Sequence, residues 1–106
     1  MGEKKSELID ELKQFKNEIS KKHDIRSMIL FGSRSKGMGD RHSDVDLLLV
    51  SDEFKDKSTL ERPCQFYLEW SLDYPVDFLC FTPEEFEKKK KQITIVRKAV
   101  EEGIEI

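Results

Sequence analysis

Long apolar runs are missing from this chain, and so is any excess of positive charge. No stretch approaches the ~20 consecutive apolar residues of a membrane-spanning helix, and no apolar core follows the charged N-terminus as in a secretory leader. A cytoplasmic location with no membrane partner is therefore expected. Lysine and arginine number 19 against 22 aspartates and glutamates, a formal net charge of −3. Dedicated nucleic-acid binders carry a basic balance, so neither DNA nor RNA is expected as a main partner. Only two cysteines occur, Cys64 and Cys80. They form no close pair of the kind that signals zinc or redox chemistry, and are read as reduced, buried thiols. With no interdomain linker, repeat or low-complexity tract, the 106 residues are expected to form one domain, 1–106, with no room for a separate substrate domain. What is abundant is charge: 39% of residues are charged and 37% hydrophobic, the balance of a small core under an ion-pair-rich surface.

The informative stretch runs from Phe31 to Val50, FGSRSKGMGDRHSDVDLLLV. Residues 26 to 31 are a short, mostly apolar run that breaks at Gly32, as a buried strand does before a sharp turn. Glycine there lets the backbone approach a ligand closely. Ser33 stands where a short helix can begin and offers a hydroxyl and free N–H groups to an anion such as a phosphate. Arg34 and Lys36 add positive charge beside that seat, Arg34 with the planar fork suited to bidentate phosphate contact. Asp44 and Asp46 open the next strand. Side chains alternate along a strand, so the two carboxylates share one face, about 6.6 Å apart along the backbone. A divalent cation with hard oxygen ligands would relieve their repulsion, and Mg²⁺ is the natural candidate.

Gly32-Ser33, ten residues, then Asp44-x-Asp46 resembles the signature of the DNA polymerase beta-type nucleotidyltransferase superfamily, and the chain from residue 26 to 106 is most similar to its minimal nucleotidyltransferase branch. The GSRSKG opening, the SDVDLLLV strand and the YPVDFLCFTPEEFEK segment carry the likeness. The resemblance implies a triphosphate seat formed by Gly32, Ser33, Arg34 and Lys36. It implies two Mg²⁺ ions held by Asp44, Asp46 and a third aspartate on a later strand, here Asp77, with all three carboxylates catalytic. It further implies transfer of AMP from ATP to a hydroxyl, with a HEPN-domain toxin as the protein partner in a hetero-oligomer. In such pairs the minimal nucleotidyltransferase is the antitoxin and modifies a toxin tyrosine. Two alternatives remain open: a non-catalytic nucleotide-binding antitoxin acting by contact, and the catalytic subunit of a small-molecule or antibiotic nucleotidyltransferase.

The remaining segments read as support. Residues 3 to 22 form an amphipathic helix with Leu8, Leu12, Phe15 and Ile19 at helical spacing, and His23 is expected as a solvated helix-end residue. Residues 37 to 43 form a polar loop over the site, in which His42 could touch substrate and Ser43 support the strand. The SDEFKDKST segment reads as a loop. Ser58 and Glu61 suggest a capping box for a helix whose first turn lies there or at Pro63. In that helix Cys64, Tyr67 and Leu68 are expected on one face, and Phe66 and Trp70, with Tyr74 beyond, on an aromatic edge that is either core or partner surface. VDFLCF is a strand carrying Asp77. Thr82 caps the next helix, in which Glu84–Lys88, Glu85–Lys89 and Glu87–Lys91 are i,i+4 pairs. Residues 92 to 102 form a helix with Ile93, Val96 and Val100, closed by Gly103, before a terminal edge strand at 104–106. The order gives an α/β (α+β) class: a small mixed sheet with helices packed on one face.

Overall fold

The computed structural model describes residues 2–36, 44–92 and 94–106, the side chains of residues 2–6 and of Ser33 excepted. The expected loop at 37–43, with His42 and Ser43, lies outside the described residues, as does Ile93. Helix α1 (Gly2–Ser20) leads to strand β1 (Ser27–Phe31), a 3₁₀ turn (Ser33–Lys36), β2 (Val45–Val50) and a second 3₁₀ turn (Asp52–Asp56). Helix α2 (Cys64–Glu69), β3 (Val76–Phe81), α3 (Pro83–Lys90), α4 (Ile95–Glu102) and β4 (Ile104–Glu105) follow. The described strands form one mixed sheet in the order β3-β2-β1-β4. β1 is antiparallel to both β2 and β4, and β2 is parallel to β3.

Alternation along the strands sends residues to two apolar layers. On one face Met28, Leu30, Val45, Leu47 and Leu49 meet Leu8, Leu12, Phe15 and Ile19 of α1. Each buried side chain of this size contributes about 1.5–3 kcal/mol of transfer free energy, which is why α1 forms despite its charge. On the other face Ile29, Phe31, Leu48 and Val50 meet Val96 and Ala99 of α4. The mixed sheet and the α+β class are as expected. The layering is fuller than a single helical face, because α4 covers the second side, and the unbroken Leu47-Leu48-Leu49-Val50 run has the composition of a strand buried on both faces.

Several local expectations are corrected. The segment after Val50 is not a bare loop: Ser51 Oγ accepts from Glu53 N (3.1 Å) and starts a 3₁₀ turn that buries Phe54. In α2 it is Phe66 that enters the core, edge-on to Phe54 and tilted against Phe78, while Leu68 and Cys64 face outward and Tyr67 stays exposed with its ring edge against Phe78. Cys64 is thus exposed rather than buried. Cys80 is buried, and burial pushes its thiol up to about 12. Trp70 and Tyr74 are half-buried against the core. His23 is not solvated: its side chain is only 12% exposed, lies against the Phe66 ring at 4.9 Å, and stands between Glu53 and Glu69, 3.5 Å from each.

Thr82 caps α3 as expected, and the box is closed by Glu85, which accepts from Thr82 N (2.9 Å). That carboxylate does not serve Lys89. It takes a two-pronged contact from Arg62 (2.7 and 3.2 Å), while Lys89 sits over the Phe81 ring and Glu87 pairs with Lys90 at i,i+3. Arg62 is buried and also donates to the Lys57 and Cys80 carbonyls (3.1 and 3.2 Å). One guanidinium therefore ties the loop before α2 to the end of β3 and the start of α3.

Arg62→Ala leaves two carbonyls and a carboxylate without this donor, and should cost about 2–3 kcal/mol in urea unfolding at pH 7. The Arg62 hydrogen bond holds the Glu85 carboxyl below its ordinary value of 4.5. Its contribution is therefore complete above pH 4.5 and is lost as pH falls through the lower folded-state value. Melts from pH 7 down to pH 3 should show a shallower acid loss for Glu85→Gln than for wild type. Parallel curves would contradict the assignment.

Candidate active site

The site is built where β1 ends and β2 and β3 begin. Phe31, the last residue of β1, lies opposite Asp46 of β2, and Asp46 in turn lies opposite Asp77 of β3. The next residue, Gly32, turns with φ +78°, in the left-handed region that only glycine enters at little cost. A Cβ at Gly32 would lie 2.5 Å from Asp46 Oδ2. The Asp46 carboxylate therefore packs directly on the Gly32 backbone, and glycine is required twice, by conformation and by space. Ser35 closes the turn: its Oγ donates to the Gly32 carbonyl (2.7 Å) and its N–H does the same (3.2 Å).

Asp77 and Asp44 are exposed and Asp46 is half-buried. The Asp46 carboxyl is held above its usual value, first by burial and then by the charges of Asp77 and Asp44. The Asp46 carboxylate is thus close enough to feel the charges of the other two. Among the described residues no three His, Cys, Asp or Glu side chains close into a metal cage. The donor set still suits a hard divalent cation, since carboxylate oxygens that repel each other at an open surface leave positions for water and substrate phosphates, as Mg²⁺ sites do.

In front of the aspartates lies a cleft of about 620 Å³. Gly32, Ser35, Lys36, Asp46 and Asp77 form one side, and Ile95, Lys98, Ala99 and Glu102 of α4 form the other. The α4 residues follow i, i+3, i+4, i+7 spacing, so they share one helical stripe. The four residues expected at the phosphate seat are all near this turn. Gly32 makes it, Ser33 begins the 3₁₀ segment, Lys36 lines the cleft and pairs with Glu102 (3.2 Å), and Arg34 stacks over the Tyr74 ring at 5.0 Å. Sequence reasoning missed Ser35, Lys98 and Glu102. Ser35 stood inside the GSRSKG motif. The α4 pair was visible only as polar positions on a helix whose orientation the sequence left open.

Gly32→Ala should lower stability by about 1–3 kcal/mol for the backbone alone, more if Asp46 cannot move. Asp46→Asn should do the opposite in metal-free buffer and raise the melting temperature, because it removes the group that burial and two like charges penalise. Thermal melts of both variants in EDTA check this, and a sharply lower melting temperature for Asp46→Asn would contradict it.

A family model described as a nucleotidyltransferase domain matches residues 12–102. "Putative protein adenylyltransferase MJ0141" of Methanocaldococcus jannaschii is 33% identical over 72 residues, spanning 66% of this chain and 73% of that protein. "Probable protein adenylyltransferase MntA" of Haemophilus influenzae is 32% identical over 77 residues, spanning 71% and 68%. A crystal structure of a "putative nucleotidyltransferase" from Sulfolobus solfataricus shares the fold, with a TM-score of 0.65 at 21% identity over 81% of this chain and 77% of that one. The Gly32 turn, the in-register aspartates and the family match over most of the chain agree: this protein belongs to the minimal nucleotidyltransferases of the nucleotidyltransferase domain family.

Proposed function

We propose that residues 1–106 act as one unit that transfers AMP from ATP to a protein hydroxyl, a tyrosine of a HEPN-type toxin being the acceptor. The observation that carries this reading is the register of Asp46 with Asp77, because binding of a nucleotide alone has no need of a further carboxylate across the strand pair. The two relatives named as protein adenylyltransferases support a protein as acceptor.

Asp44, Asp46 and Asp77 would hold two Mg²⁺ ions. When bound, the cation supplies charge neutralisation and lowers the pKa of the attacking hydroxyl. The chain's own groups do the rest. N–H groups of the Gly32–Ser33 turn and the Ser33 hydroxyl hold the terminal phosphates, and Arg34 and Lys36 add positive charge as pyrophosphate departs. The acceptor hydroxyl gives its proton to water in the open cleft, its oxygen bonds to the α-phosphorus, and the bond from that phosphorus to the bridging oxygen breaks, releasing pyrophosphate. No side chain of this chain becomes covalently attached. The cleft is open to solvent, which fits an acceptor delivered by another macromolecule.

Incubation with α-labelled ATP, Mg²⁺ and the protein encoded beside it should label that partner on tyrosine and neutralise its toxicity. Asp77→Asn should keep ATP binding and lower labelling at least about a hundredfold. Labelling by Asp77→Asn at the wild-type rate would overturn the mechanism. Neutralisation without labelling by the wild-type protein would favour action by contact.

A further inference from the structure

Two of the cations around the phosphate seat are already engaged. Arg34 lies over the Tyr74 ring, and that ring is itself fixed, its hydroxyl donating to Glu11 (2.9 Å). Lys36 meets the Glu102 carboxylate at 3.2 Å, so its charge is largely balanced before any ligand arrives. Lys98 differs. It lines the cleft from the α4 side, is exposed, and its ammonium makes no hydrogen bond or ion pair with any described residue. It also sits on a firm base. Thr94 accepts from Arg97 N and donates to the Lys89 carbonyl (3.3 and 2.9 Å), pinning the start of α4. At the other end Gly103 packs so closely that a Cβ there would lie 2.8 Å from the Leu30 carbonyl.

The cleft must admit a polyanion beside the Asp46 and Asp77 carboxylates that line it, and an unpaired cation on its far wall lowers that electrostatic cost. We propose that Lys98 binds the phosphate chain of the nucleoside triphosphate beyond its α-phosphate, a contact that rests on the nucleotidyl-transfer reading above. An ammonium on a flexible stem suits this task, since it acts as a point charge that can follow the phosphates. The α4 stripe then has two roles, Glu102 steadying Lys36 and Lys98 reaching the substrate.

Calorimetric titration of wild type, Lys98→Ala and Lys98→Arg with ATP and Mg²⁺, and separately with AMP, tests this. Lys91→Ala, an exposed lysine outside the cleft, serves as control. Lys98→Ala should weaken ATP about five- to tenfold, as expected for one exposed charge-assisted contact, and leave AMP unchanged. Lys98→Arg should stay within about twofold of wild type, because its charge is kept. ATP affinity unchanged in Lys98→Ala, or AMP weakened equally, would overturn the assignment. Wild-type protein that binds no ATP would instead refute the proposed function itself.

Discussion

The placement of one carboxylate organises this molecule. Asp46 is held against the Gly32 backbone on one side and beside Asp77 on the other, and is pushed toward its protonated form first by burial and then by its acidic neighbours. A protein selected for stability alone would not keep three acids there. The strain is accepted because the surrounding structure over-determines it: β1 and β2 lock Phe31 opposite Asp46, β2 and β3 lock Asp46 opposite Asp77, and Ser35 holds the turn closed. The family's nucleotide chemistry gives that strain a use, since a divalent cation would relieve it on arrival.

The two faces of the sheet divide the work. Leu47 and Leu49 point to α1 and build the larger core, while Asp46 alternates with Leu48 and Val50 on the face covered by α4. That second layer stops short of the aspartates, and the space left over is the cleft. A one-residue slip of β2 would exchange the two sets, so the same register that buries the core also presents Asp46. Stability and site geometry therefore share one constraint. Arg62 contributes from a distance, tying the end of β3 to α3 through Cys80 O and Glu85 and so fixing the strand that carries Asp77.

Much of this was legible in the chain itself. The apolar spacing of α1, the Gly32 turn, the strand alternation around Asp46 and the Thr82 cap are local signals, and each element formed as its residues require. What was missed depends on contacts far apart in sequence. Nothing near His23 foretells that α2 brings Phe66 and Glu69 to it. The local i,i+4 rule gave Glu85 to Lys89, yet a buried guanidinium 23 residues away makes the stronger contact. Phe66 and Tyr67 are neighbours of similar size and both meet the Phe78 ring; what sets Phe66 apart is that it also lies against Phe54 and His23, which are remote in sequence. The second helical layer was hinted at by the unbroken Leu47–Val50 run, but α4's own face was set by Gly103 against β1.

The central claim is that Asp46 and Asp77, with the Gly32 turn, form the seat of a metal-bound triphosphate. A crystal structure of the protein with a non-hydrolysable ATP analogue and Mn²⁺, the metal located by its anomalous signal, tests it most directly. The account predicts manganese between the Asp46 and Asp77 carboxylates, with phosphate oxygens on the Gly32–Ser33 turn. Manganese bound elsewhere, or a nucleotide whose phosphates point away from these aspartates, would contradict it.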